Sequence, residues 1–231
     1  MPLTFTSEDI TRLNVDIIVN PTNTHLQSHG GGVSGAIFRA AGQDQLQAAC
    51  TRIGSCAVGE AVITEGFALP AKYVIHTVGP RYDPERLEQR GQLYGCYKNA
   101  LALARQYGRS IAFPLIATGK RGYPWREALD IAVEAIVWFL GKYGDNLDVK
   151  LCLMEPEMIP VAAELKAKHQ RSVAAHAKNY HSEMSGMVFQ VKKIKFYPED
   201  EEKMKTMGHE EKMAYVIKLR QEHRYVEVED E

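Results

Sequence analysis

Along the first 170 positions, short apolar runs closed by turn residues alternate with stretches whose apolar positions recur every three or four residues. Val15-Asp16-Ile17-Ile18-Val19, Tyr73-Val74-Ile75-His76-Thr77-Val78, Ile111-Ala112-Phe113-Pro114-Leu115-Ile116 and residues 149–154 have the length and composition of strands covered on both faces. Residues 3–6 and 59–64 predict two further strands. Helical spacing predicts helices over 34–41, 44–52, 91–106, 126–139 and 160–169, the third with Leu93, Tyr97, Leu101 and Ala104 on one face. Such alternation implies an α/β fold with a mixed, largely parallel sheet and helices on both faces. His76, inside an apolar strand, has the setting of a hydrogen-bonded core residue rather than a metal ligand.

Beyond residue 170 the pattern changes. Residues 171–186 are polar, contain histidines and lack periodicity, which predicts a linker after a domain spanning 1–170. From 187 to 231 a small α+β C-terminal extension is expected. Val188-Phe189-Gln190-Val191 and Ile194-Lys195-Phe196-Tyr197 have strand composition, and Met213, Val216, Ile217 and Leu219 mark an apolar helix face. Tyr225-Val226-Glu227-Val228-Glu229 alternates like an edge strand. Roughly 45 residues are too few for an independent core without a metal or disulfide, so the extension is expected to pack on the first domain or on a protein partner.

Charge and cysteine usage narrow the function. The 231 residues carry a formal net charge of -1, which argues against the clustered basic excess of a nonspecific nucleic-acid binder. Cys50, Cys56, Cys96 and Cys152 form no C-x-x-C pair, so neither a zinc site nor a redox motif is indicated, and they suit buried fillers in a reducing compartment. No cationic stretch followed by an apolar core opens the chain and no run approaches membrane-spanning length. A cytoplasmic location, no membrane contact, no metal and no cofactor are the expectations.

Two strand ends carry the chemistry. Asn20 and Asn23 close the second strand, and His29-Gly30-Gly31-Gly32-Val33-Ser34 leads into a helix. The carboxyl ends of strands in open α/β sheets face the amino ends of the following helices, and a glycine-rich turn there builds an anion cradle from backbone N–H groups. A flexible surface turn would use the same glycines. The Ile111 strand runs into a second glycine-rich loop, Thr118-Gly119-Lys120-Arg121-Gly122, so two loops are placed to clamp one phosphate group. Neither loop fits G-x-x-x-x-G-K-[ST] or a complete G-x-G-x-x-G, which turns the reading away from a nucleoside triphosphatase and a dinucleotide-dependent oxidoreductase.

These residues resemble the macrodomain family, whose members bind ADP-ribose. The likeness covers residues 1–170 in five ordered blocks: Glu8-Asp9-Ile10, Val15 through Asn23, Gly30 through Ile37, Leu69 through Pro80, and Ile111 through Gly119. It is greatest to the bacterial branch of ADP-ribosyl hydrolases and O-acetyl-ADP-ribose deacetylases. The resemblance implies a three-layer α/β/α fold and gives Asp9 and Ile10 to the adenine and Asn20 and Asn23 to the binding strand end. Asn23 would hold the distal ribose. It also implies that Gly30, Gly31, Gly32 and Val33 lie around the diphosphate, that Thr118 to Gly122 form the opposite clamp, and that Met154 covers a face of the adenine. Without the family, Asp9 reads as a cap and Asn23 as an Asx turn.

Departures from the family shape the expected activity. Relatives with strong hydrolase activity carry an Asp after Gly-Gly-Val, where this chain has Ser34, a hydroxyl that holds water but is a poor base. Lys120 and Arg121 replace the usual aromatic over the distal ribose. His25 and His29, in a loop one residue longer than usual, are candidates for the missing proton-transfer role. The resemblance therefore implies an enzyme that hydrolyses ADP-ribosyl-protein or O-acetyl-ADP-ribose esters through Asn23, Ser34 and His29. One alternative is a reader of ADP-ribose, free or on protein, without turnover. Another is an RNA or nucleotide-end binder in which Lys120 and Arg121 contact phosphates.

Overall fold

The computed structural model describes residues 2–28, 30–144, 146–186, 193–196, 200, 202–203, 215 and 225–228. The chain divides into two compact units, Met1–Ala177 and Lys178–Glu231.

In the first unit the strands are β1 (Leu3–Thr6), β2 (Ile17–Pro21), β3 (Ala61–Glu65), β4 (Tyr73–Thr77), β5 (Ser110–Pro114) and β6 (Asp148–Cys152). The helices are α1 (Gly32–Ala41), α2 (Gln43–Ile53), α3 (Glu88–Tyr107), α4 (Trp125–Tyr143) and α5 (Met158–Gly186), the last of which runs on into the second unit. A 3-10 turn, Ile10–Arg12, follows β1. The strands form one sheet in the order β1-β6-β5-β2-β4-β3. All neighbours are parallel except the edge pair β3–β4, so the expected mixed, largely parallel sheet is present.

Central strands buried on both faces explain the unbroken apolar runs: Ile17, Ile18 and Val19 are fully buried. One face packs Ile17, Val19, Ile75, Ile111 and Phe113 against α3 and α4, whose Leu93, Tyr97, Leu101, Leu129, Ile136 and Leu140 complete a large core cluster. The other face packs Ile18, Val74 and Ala112 against Ile37 and Phe38 of α1 and Leu46 and Cys50 of α2. The side chains alternate between the two layers because successive residues of a strand point to opposite faces. All four cysteines are buried and unpaired.

Two local devices set the frame. Asp16, just before β2, accepts hydrogen bonds from the Arg109 N–H, the Ser110 hydroxyl and Lys72 at 2.9, 3.1 and 2.9 Å, and these donors hold its pKa down at about 2. It thereby ties the start of β2 to the start of β5. Gly42, at φ 92°, makes the corner between α1 and α2, a conformation that a residue with a Cβ adopts at a cost.

α5 differs from expectation. A helix was predicted over 160–169 and a linker over 171–186, yet the helix continues to Gly186. Polar residues scattered among Val173, Ala174, Ala175, Ala177 and Met184 weaken the periodic signal but do not oppose helix formation, since Ala, Arg, Lys, Glu and Met all have favourable helix propensity. In the second unit β7 (Lys193–Phe196) and β8 (Tyr225–Val228) pair antiparallel. These strands lie where two were expected, while Val188–Val191 and the helix face of Met213, Val216, Ile217 and Leu219 fall outside the described residues. No described helix is long and apolar enough to cross a membrane, and among the described residues no group of three or more His, Cys, Asp or Glu is arranged to hold a metal.

Candidate functional site

Five strands run parallel, so five carboxyl ends share one rim of the sheet, and a cleft of about 920 Å³ opens there. Ser7 to Ile10 follow β1, Thr22 to Ser34 follow β2, Gly79 and Arg81 follow β4, Leu115 to Arg121 follow β5, and Met154 follows β6. β2 and β5 are hydrogen-bonded neighbours, which is why their two glycine-rich loops stand face to face.

The amino end of α1 points donors into this space. Gly31 is its N-cap and no side chain caps it. The first intrahelical hydrogen bond runs from the Gly35 N–H to the Gly31 carbonyl at 3.0 Å, leaving the N–H groups of Gly32, Val33 and Ser34 without a partner inside the helix. These three groups and the helix dipole favour an anion. The approach loop is held tightly: Arg39 donates to the Gly30 carbonyl at 2.8 Å, and a Cβ on Gly35 would come within 2.3 Å of that same oxygen.

The facing loop is stiff for its own reasons. Ala117 has φ 69°, and the Tyr123 N–H closes back onto its carbonyl at 3.0 Å. The Thr118 hydroxyl donates to the Leu115 carbonyl at 3.1 Å. Below, the fully buried Tyr97 hydroxyl accepts the Ile116 N–H at 3.0 Å, with burial pushing the phenol pKa well up. Across the gap, a Cβ built on Gly31 would stand 3.5 Å from the Lys120 Nζ. The two loops therefore approach closely enough for one small anion to touch both.

Most of the residues named from the sequence converge here. Asp9, Ile10, Asn23, Gly31, Gly32, Val33, Ser34, Thr118, Gly119, Lys120, Arg121 and Met154 all line the cleft. Gly30 and Gly122 sit in the two loops but do not line it, and neither does His25. His29 lies outside the described residues.

Asn20 is the clear difference. Its side chain is fully buried in the sheet and its Nδ2 lies 3.0 Å from His76 Nδ1. His76 Nε2 in turn lies 2.9 Å from the Thr64 hydroxyl, and burial lowers the imidazole pKa to about 4. Asn20 therefore belongs to a core network on the α2 side of the sheet, because a residue within the strand obeys its alternation whereas Asn23 lies beyond it. His76 is the core residue its setting suggested.

Two cleft residues also perform the local tasks their types allow. The Asp9 carboxylate accepts from the Thr11 N–H at 3.0 Å and the Thr11 hydroxyl at 2.8 Å, capping the 3-10 turn, and these donors lower its pKa. Asn23 closes an Asx-type loop, with its Oδ1 accepting from the N–H groups of His25 and Gln27 at 3.0 and 3.3 Å and its Nδ2 donating to the Gln27 carbonyl at 2.6 Å.

Sequence reading missed Gly79, Arg81, Thr22, Gln27, Leu115 and Met158, which line the cleft. Gly79 carried a readable signal, since it follows the β4 run directly; a Cβ there would meet Ile116 Cγ2 at 2.9 Å. Thr22 lines the cleft with its hydroxyl buried and unpartnered, a feature only three dimensions disclose.

Comparison with known proteins agrees with this geometry. The Macro domain family model matches residues 19–132. The chain is 45% identical over 166 residues to a protein of Klebsiella pneumoniae named O-acetyl-ADP-ribose deacetylase, covering 70% of this chain and 94% of that protein. It is 47% identical over 148 residues to the ADP-ribose glycohydrolase MACROD2 of Xenopus laevis, covering 63% of this chain but 35% of that longer protein. Among solved structures, the Oceanobacillus iheyensis macrodomain with ADP superposes with a TM-score of 0.65 at 36% identity, over 75% of this chain and 92% of that one.

Proposed function

We propose that this chain, which belongs to the macrodomain family, binds ADP-ribose in the cleft and hydrolyses ADP-ribosyl-protein or O-acetyl-ADP-ribose esters at the distal ribose. The adenine lies toward Asp9, Ile10 and Met154, the diphosphate between the amino end of α1 and the second loop, and the distal ribose toward Asn23. One observation carries the reading: the three unpaired N–H groups of α1 and the Lys120 ammonium face a shared space, with Lys120 Nζ 3.5 Å from a Cβ position on Gly31. Each N–H given to a charged oxygen contributes roughly 1.5–3 kcal/mol. The names of the two relatives, a deacetylase of O-acetyl-ADP-ribose and an ADP-ribose glycohydrolase, support the chemistry.

In the hydrolytic step a water oxygen bonds to the ester carbon under attack at the distal ribose, a C–O bond of that ester breaks, and a proton of the water passes to the departing oxygen, so that a carboxylic acid and a ribose hydroxyl result. Ser34, on the first turn of α1, is the group offered to hold that water. A hydroxyl is a weak base near neutral pH, and general-base assistance is worth typically 10²–10⁴-fold, so turnover is expected to be slow. That same Ser34 favours a second reading, a module that recognises ADP-ribose on proteins without useful turnover.

Calorimetric titration with ADP-ribose tests the binding, and incubation with mono-ADP-ribosylated protein and with O-acetyl-ADP-ribose tests the reaction. Heat of binding and product above the buffer rate are expected. Binding with a rate equal to buffer leaves the reader module standing; no binding removes both.

A further inference from the structure

We infer that Arg121 is a positioning residue, which straps the second loop to the first through the Thr22 carbonyl and so fixes the width of the cleft. Its Nη2 donates to that carbonyl at 3.2 Å across 99 positions of sequence. The carbonyl of Arg121 itself accepts the Tyr82 N–H at 2.9 Å, so the residue joins three of the five rim segments: those after β2, β4 and β5. Thr22 is anchored on its other side, its N–H donating to the Thr77 carbonyl at 2.9 Å. Neighbouring Tyr82 and Tyr123 pack ring against ring at 5.1 Å, giving the strap a firm base.

The charge is not otherwise accounted for. The guanidinium is half-buried, and both that burial and the nearby Arg81 lower its pKa, so the environment disfavours the cation. None of the ion pairs among the described residues includes Arg121. Lys120, by contrast, is exposed and reaches toward Gly31. The adjacent cations thus divide the work: Lys120 faces the anion, and Arg121 holds the loop that carries Asn23. The affinity part of the test rests on ADP-ribose as the ligand; the exchange part does not.

Hydrogen exchange on the ligand-free protein reads the strap directly, because the N–H groups of Thr22, His25, Leu26 and Gln27 are all hydrogen-bonded within or beside the first loop. Arg121→Met, which keeps the stem and removes the donors, is expected to speed exchange at these amides at least tenfold while α4 amides stay protected. It should weaken ADP-ribose about tenfold with the salt dependence of affinity unchanged. Arg121→Lys should recover much of the protection. Unchanged exchange at residues 22–27 in Arg121→Met overturns the strap, and so does a flattened salt dependence, which would mean a direct phosphate contact. If the wild-type protein fails to bind ADP-ribose while the exchange result holds, the ligand assignment fails and the strap stands.

Discussion

Lys120 Nζ stands 3.5 Å from the point where a side chain on Gly31 would begin. Gly31 has φ −111°, which any residue adopts, so a larger side chain there obstructs the gap without straining the backbone. Gly31→Val is therefore expected to keep its melting temperature within about 2 °C while losing at least tenfold in ADP-ribose affinity, roughly 1.4 kcal/mol. Lys120→Gln should bind more weakly and respond less to salt than the wild type, as removal of one cation beside an anion requires. Calorimetry at two salt concentrations checks both, and full affinity in Gly31→Val would mean the anion sits elsewhere.

Ser34→Asp should raise hydrolysis of mono-ADP-ribosylated protein at least tenfold, because it supplies the carboxylate base that the wild-type position lacks. The added negative charge near the diphosphate should weaken ground-state binding at the same time. Released ADP-ribose, measured over a range of substrate concentrations, separates the two effects. A rate no higher than wild type would show that a weak base is not what limits turnover.

Tyr97→Phe removes the acceptor of the Ile116 N–H and leaves that donor buried. A buried unpaired donor costs about 1–3 kcal/mol, and for a domain of this size the melting temperature should fall by roughly 2–10 °C. ADP-ribose affinity should fall too, since Ile116 leads from β5 into the second loop. Calorimetric melting and titration of the variant measure the two losses, and a variant matching wild type in both would free the loop from its supposed anchor.

His76 makes stability depend on pH. Its folded pKa of about 4 lies below the ordinary 6.5, so between those values the unfolded chain binds more protons. Stability is then full above about pH 6.5 and declines as pH falls toward 4, by about 3 kcal/mol at roughly 1.4 kcal/mol for each pH unit. Asp16, with its pKa down at about 2, adds its own loss only below the ordinary carboxylate range. Urea midpoints at pH 7 and pH 4.5 should differ in the wild type and differ much less in His76→Gln. Equal wild-type midpoints would contradict the assignment.

The sheet, the two facing loops and most cleft residues were legible because strand burial, glycine content and strand-end position are local properties of the chain. Asn23 and Asp9 show the limit of that reading: capping and ligand binding demand the same side chains, so residue type alone could not choose between them. Asn20 was misplaced because one residue of strand alternation separates a rim position from the core. Arg121 lay in a motif, yet its partner Thr22 is 99 positions away, and no local pattern encodes such a pairing. Arg39 and Gly35, which lock the Gly30 carbonyl, were hidden for a simpler reason: as helix residues they look like any other exposed Arg and small filler.

Burial raises the pKa of Cys50, Cys56 and Cys96 to about 11 and that of Cys152 to about 12, so each thiol is a poor nucleophile until its surroundings open. The chain thus carries its own reporters of local opening, one each in α2, α3 and β6 and one in the loop after α2. Alkylation rates read by peptide mass would give the opening free energy of each region separately. Cys152, which borders the cleft, should be shielded by ADP-ribose, and Cys96 should be shielded only as far as the whole fold is made firmer.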